Sequence, residues 1–196
     1  MSHTSEIPKG AKKFIYSAFL ILISAIYYSL PNFGVNVPLP KSDTASTSSP
    51  ATYYKVTKVV DGDTIQIDIN GTLEKLRLIG INTPETVDPR KPVECFGKEA
   101  SAETHKLADG KIVRLEYDNS QSLRDAYNRL LVYVYLEDGE MINRKLVAEG
   151  YAYEYTYMTP YKYQKEFRDL QNFARTQGRG LWADNTCAGS KTLKQN

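Results

Sequence analysis

A mainly β fold with a few helices, closed as a five-stranded barrel, is what this sequence predicts, and three observations predict it. Five short segments carry alternating or continuous apolar residues, tight-turn dipeptides punctuate them, and one stretch with helical spacing interrupts the series after the third. The composition agrees. Of 196 residues, 41% are hydrophobic and 24% charged, which is usual for a globular domain and excludes collagen-like, coiled-coil and wholly disordered chains.

Residues 53–60 read as the first strand, followed by the turn Asp61-Gly62-Asp63. Ile65, Ile67 and Ile69 then alternate with polar residues up to Asn70-Gly71, a second tight turn. Residues 73–81 and 111–117 are the third and fourth strands, and 129–136 the fifth, closed by Asp138-Gly139. Between the third and fourth, Ala100, Thr104, Leu107 and Ala108 fall at helical spacing and stop at Gly110. After the fifth strand, residues 142–149 form a short helix ended by Gly150. Tyr163, Phe167, Leu170 and Ala174 mark a longer helix ended near Gly178. Three strands, a helix and two strands is the order of an OB-fold barrel, here with about three helices.

The barrel occupies residues 53–187, and a polar tail follows at 188–196. What precedes it is different in kind. Residues 1–13 are a basic flank with Lys9, Lys12 and Lys13; residues 14–30 are uncharged and apolar; and residues 31–52 are a Pro-, Ser- and Thr-rich linker. A basic stretch followed by an apolar one reads as an export signal. As a helix the 17 apolar positions span roughly 26 Å, slightly short of a hydrocarbon core, so a signal peptide and a membrane anchor are both compatible. No small-x-small cleavage site follows, and Tyr27 and Tyr28 stand where an interfacial aromatic belt lies, which favours an uncleaved anchor. The expected location is extracytoplasmic, membrane-anchored or secreted.

Charge and histidine narrow the chemistry. Lys plus Arg number 25 against 23 for Asp plus Glu, and setting aside residues 1–51 leaves 21 of each, so any nucleic-acid binding must be local. Only His3 and His105 exist. That removes two-His metal sites, and His105 reads as a solvated helix residue. Carboxylates, arginines and tyrosines are left to do the work.

Two places gather polar residues that packing would not request. Turn chemistry accounts for Asp61 and Gly62 but not for Asp63. Arg77 interrupts an apolar strand that runs into a Pro-stopped loop, and an arginine there needs an anionic partner: either an internal carboxylate or a ligand.

These residues, with others, resemble the staphylococcal nuclease (thermonuclease) family. VVDGDT, LRLIGINTPET, ECFGKEAS, DAYNRLLVYVY, LVAEGYA and GRGLW occur in the family's order between Tyr53 and Trp182. The resemblance implies that Asp63, the Asn82 side chain and the Thr83 carbonyl hold calcium, with Asp61 behind them. It implies that Glu85 orients or deprotonates the attacking water, that Arg77 and Arg129 clamp the phosphate, and that Lys91 lies near the nucleotide. The chemistry is coherent: attack on an anionic phosphodiester needs positive charge at the equatorial oxygens, and guanidinium groups supply planar paired donors. Calcium takes oxygen ligands and needs no histidine.

One position departs. Asn82 stands where the family often has aspartate, so it offers an oxygen but no charge, and calcium affinity should fall. Six of the 15 tyrosines crowd into residues 151–163, and at least half are expected to pack the barrel; the resemblance implies that tyrosines of this loop flank the nucleotide, here Tyr155 and Tyr157, and Tyr127, two before Arg129, is another candidate for stacking on bases. Cys95 and Cys187 are the only cysteines, and in an exported chain the pair suggests a disulfide joining the loop after Glu85 to the C-terminal tail; two separate thiols are the alternative. The expectation is a monomeric, calcium-dependent nuclease acting on DNA and RNA. The rival is a non-catalytic OB-fold module that binds nucleic acid.

Overall fold

The computed structural model describes residues 51–90 and 92–192, so the apolar segment at 14–30, most of the linker and Lys91 lie outside the described residues. Among the described residues no helix is long and apolar enough to cross a membrane.

Five strands close the barrel in the order β1-β2-β3-β6-β5: β1 (Tyr53–Asp61), β2 (Thr64–Ile69), β3 (Thr72–Leu78), β5 (Ile112–Glu116) and β6 (Leu130–Leu136). All neighbours are antiparallel except β3 and β6, and pairing of Tyr53 with Arg114 and Tyr54 with Val113 closes the ring. The alternation in β2 does what its period requires: Ile65 and Ile67 are fully buried while Asp68 faces solvent. Val56, Leu76, Leu78, Val113, Val132 and Val134 meet them inside. Each such side chain contributes about 1.5–3 kcal/mol by leaving water.

The third strand is shorter than expected. Residues 73–81 split at Gly80, whose φ of 78° is open to glycine, and whose added Cβ would lie 2.5 Å from the Tyr161 ring. The chain turns there, and β4 (Ile81–Asn82) pairs instead with β7 (Tyr153–Glu154) in a separate two-stranded sheet. The break leads Asn82 and the residues after it away from the barrel wall.

Three helices pack around the barrel, as the spacing predicts: α1 (Gly97–Ala108), α2 (Ile142–Ala148) and α3 (Gln164–Thr176). From α1, Ala100, Thr104, Leu107 and Ala108 are buried. Phe167 of α3 sits among the rings of Tyr133, Tyr161 and Tyr163. Asn143 of α2 is fully buried but satisfied: its amide donates to the carbonyls of Ile79 and Val132 and its oxygen accepts from Val134 N. It stitches the broken end of β3 to β6. Cys95 and Cys187 are joined by a disulfide, with Cα atoms 6.0 Å apart.

Candidate active site

Strand register places the first pair. Thr64, the first residue of β2, lies opposite Arg77 of β3, so Arg77 emerges beside the β1–β2 turn. Its Nη2 is 3.1 Å from Asp63 Oδ2 and donates to Asn82 Oδ1 at 3.3 Å, while Nη1 donates to the carbonyls of Leu78 and Ile81 at 2.8 Å. The side chain is only 13% exposed. The partner that Arg77 demanded is thus Asp63, itself a member of the expected site.

Asp63 is the hub of the turn. Its Oδ2 also accepts from Thr83 N at 3.0 Å, and its Oδ1 from Thr64 Oγ1 at 3.0 Å. Gly62 has a physical reason beyond turn chemistry: an added Cβ would come within 2.7 Å of Thr83 Oγ1. Thr104 of α1 donates to the Gly62 carbonyl at 2.7 Å and so fastens the turn to the helix. Sequence reasoning counted Thr104 only as a packing position.

Asp61 accepts from Gly62 N and, at 2.6 Å, from Thr86 Oγ1. Burial pushes its carboxyl above the ordinary range and the nearby carboxylates of Asp63 and Glu85 add to that, against those two hydrogen bonds. Glu85 behaves oppositely. Its Oε1 accepts three backbone N–H groups, from Thr86, Val87 and Asp88, at 2.8–3.0 Å. Desolvation pushes the carboxyl up and Asp88 adds to that, but the three amides outweigh them and hold it below the usual range.

Arg129 stands just before β6, at the end of a tight turn with Asn128 at φ 62°. Asp125 closes that turn: its Oδ1 accepts from the backbone N–H groups of Tyr127 and Arg129, and its Oδ2 lies 2.7 Å from Nε and Nη2 of Arg129. Nη1 is left to reach Thr64 Oγ1 at 3.2 Å. Desolvation raises the Asp125 carboxyl, but the hydrogen bonds and charge of Arg129 hold it low. Sequence reasoning missed Asp125; an acidic turn residue four positions before the arginine was the available signal.

Arg77, Asn82, Arg129, Tyr127, Tyr155 and Tyr157 share one open cleft of about 720 Å³. Tyr127 is 80% and Tyr157 66% exposed; the Tyr155 and Tyr157 rings are 6.4 Å apart, and Tyr127 lies 5.3 Å from the Arg129 guanidinium carbon. The other four tyrosines of the cluster pack: Tyr151 on Phe96, Tyr153 on Trp182, Tyr161 and Tyr163 on Phe167. Arg124 also lines the cleft but is committed to Glu74, with both terminal nitrogens at 2.8–3.0 Å from the carboxylate. His105 is an exposed helix residue, 3.4 Å from Asp109.

Among the described residues no three His, Cys, Asp or Glu side chains gather as a ready-made metal cage. The expected calcium ligands ask for less: one carboxylate, one amide oxygen and one carbonyl. Asp63 Oδ2 and Asn82 Oδ1 already converge on a positive charge, the Nη2 of Arg77, and Thr83 is bonded to the same carboxylate. Thr83 Oγ1 is buried with no hydrogen-bond partner among the described residues. This all-oxygen set fits a hard divalent cation, provided Arg77 yields its hold on the two oxygens.

The family model described as staphylococcal nuclease homologue matches residues 75–184. The chain is similar to the thermonuclease of Staphylococcus hyicus, 40% identical over 172 residues that cover 88% of this chain and 99% of that protein. It is 39% identical to the thermonuclease of Staphylococcus intermedius over 171 residues, 87% of this chain and 98% of that one. Endonuclease YncB of Bacillus subtilis (strain 168) is 35% identical over 127 residues, 64% of this chain and 59% of that one.

Proposed function

The chain belongs to the staphylococcal nuclease family, and from that premise we propose that it is a calcium-dependent nuclease hydrolysing phosphodiester bonds of DNA and RNA with little sequence preference. One observation carries the reading: two largely buried guanidinium groups, Arg77 on β3 and Arg129 in the turn before β6, reach adjacent residues, Arg77 to Asp63 and Arg129 to Thr64, and both line the tyrosine-bearing cleft. Two planar donors lining one cleft suit the trigonal oxygens of a phosphoryl group under attack.

The residues divide the task. Arg77 and Arg129 bind the phosphate; Arg129 is preset by Asp125, whereas Arg77 must give up its hold on Asp63 and Asn82 when calcium takes those oxygens. Asp63, Asn82 and the Thr83 carbonyl would hold calcium, which when bound polarises the phosphoryl oxygens and neutralises their charge. Glu85, held below the usual carboxylate range, is a poor proton acceptor near neutral pH; it serves better to orient a water than to strip its proton. Tyr127, Tyr155 and Tyr157 offer exposed rings on which any base can stack, in keeping with low sequence preference.

The location belongs to the same proposal: the basic flank and apolar run of residues 1–30 favour a place outside the cytoplasmic membrane, anchored or secreted, and the proposal takes the nuclease as a monomer. Plasmid DNA and RNA incubated with the protein in calcium and in chelator test the activity. Chelator-sensitive cutting is expected; binding without cutting in either condition would make it the non-catalytic module.

A further inference from the structure

Glu85, which is not among the residues lining the cleft, is held from beyond its own carboxylate turn as well as from within it. Its backbone N–H donates to Glu94 Oε2 at 3.0 Å, and its carbonyl accepts from Glu94 N at 2.9 Å, so Glu94 grips the residue on both sides of its Cα. Glu94 is in turn held by the C-terminal segment. Its neighbour Cys95 is bridged to Cys187 across 92 positions of sequence, Cys95 N donates to the Lys191 carbonyl at 3.0 Å, and Lys191 Nζ lies 3.6 Å from Glu94 Oε2. That segment is itself seated: Tyr153 OH donates to the Gly189 carbonyl, and Gly189 packs so closely on Trp182 that a Cβ would lie 2.7 Å from the indole. The start of α1 closes the other side, since a Cβ on Gly97 would meet Thr86 at 2.7 Å and the Glu85 carbonyl at 3.1 Å.

We propose that Glu94 is a positioning residue for Glu85, and that the Cys95–Cys187 bridge with residues 187–191 clamps Glu94 in that role, so that the C-terminal tail sets turnover without touching substrate. The proposal rests on Glu85 acting on the attacking water. The clamp arginines stand apart from this path: Arg77 is on β3 and Arg129 leads into β6, and neither strand carries Glu94 or a cysteine. Loosening Glu94 therefore spoils the aim of Glu85 and leaves phosphate binding alone. A displacement of about 1 Å at a reacting group can cost as much as 10²-fold in rate.

The experiment is steady-state cleavage by the full chain, with kcat and KM separated, well below the unfolding temperature and with circular dichroism on each sample. Glu94→Ala should lower kcat about tenfold or more with KM unchanged. Glu94→Gln, whose amide oxygen can still accept from Glu85 N, should recover most of it. Replacing both cysteines by serine should lower kcat in the same sense while the barrel remains folded. If that double variant does not fold, the two Glu94 variants decide alone. Folded Glu94→Ala with the parental kcat, or Glu94→Gln as slow as Glu94→Ala, overturns the proposal. A Glu85→Gln form as active as its parent overturns the glutamate role and this inference with it. An inactive Glu85→Gln beside a fully active Glu94→Ala overturns the inference alone.

Discussion

The two halves of the proposed machinery are held by different means. Arg77 and Arg129 are fixed by the barrel: strand register sets one opposite Thr64, a strand-leading turn sets the other, and each closes on a carboxylate at 3.1 Å or less. Glu85 sits in the loop between β4 and α1, held by the amides of the next three residues, by Glu94 and, through it, by a disulfide to the far end of the chain. The difference teaches that, on the proposed roles, charge recognition would sit in the rigid part of the fold and water positioning in a fastened loop. Clamp and loop should therefore fail separately.

The sharpest break in that comparison is at the clamp. Replacing Arg129 or Arg77 by Lys keeps the charge but loses paired donors, and turnover should fall by at least about 10²-fold. The barrel should remain, since neither residue belongs to the apolar interior. Arg129→Lys with near-parental rates and an unchanged circular dichroism spectrum would remove Arg129 from the clamp.

Next comes the far wall of the cleft. Tyr157→Ala should raise KM about tenfold with kcat little altered, because a stacked base is worth about 1–3 kcal/mol and makes no contact with the reacting phosphorus. Tyr155, less exposed and beside it, should respond in the same sense and more weakly. Equal KM in the parent and both variants would leave the rings without a role in binding.

How much of this was legible in the sequence follows the same division. Period-2 alternation in β2 and turn dipeptides located the strands, and strand order then brought Asp63, Arg77 and Arg129 together, because register is set by periodic burial. The break of the third strand at Gly80 was not legible: Ile81 continues the apolar run past it, while the close approach of the Tyr161 ring and the pairing of Ile81 with Glu154 come from residues far along the chain. Asp125, Thr104 and Glu94 were missed for one reason. Each acts by a hydrogen bond from a side chain to a backbone group, and two of these reach across 9 and 42 positions, a contact that leaves no period in the sequence.

The cleft wall near residues 118–122 and 159–162 offers a pH test. Asp118 accepts from Tyr133 OH and Lys162 N at 2.7 Å and from both groups of Ser120, tying this wall to the barrel core. Desolvation raises its carboxyl, but these donors outweigh it and hold the folded-state pKa below the unfolded value of about 3.9. A lowered carboxylate stabilises the fold fully above the unfolded pKa and loses that contribution as pH falls through the folded one. Asp118→Asn should therefore cost about 1–3 kcal/mol near pH 7, and its deficit should shrink below about pH 4. Denaturation midpoints of parent and variant at the two pH values check this; a deficit that does not change with pH would mean the carboxylate charge plays no part.

The smallest expected effect tests whether the clamp and the calcium site share atoms. Asn82 Oδ1 accepts from Arg77 Nη2, which also touches Asp63, so calcium held as proposed would compete with Arg77 for the same two oxygens. Asn82→Asp adds a unit charge there, which attracts the cation but also tightens the hold of Arg77. The two effects oppose each other, so the half-saturating calcium concentration should drop several-fold rather than by orders of magnitude. Turnover at saturating calcium should change less, since Arg129 and Glu85 are untouched. Superimposable calcium titrations of the two forms would show that Asn82 is not a ligand. A parent that neither binds calcium nor cuts, beside an Asn82→Asp form that does both, would mean that the missing charge has turned a nuclease site into a binding module, with Arg77 left as the permanent cation between Asp63 and Asn82.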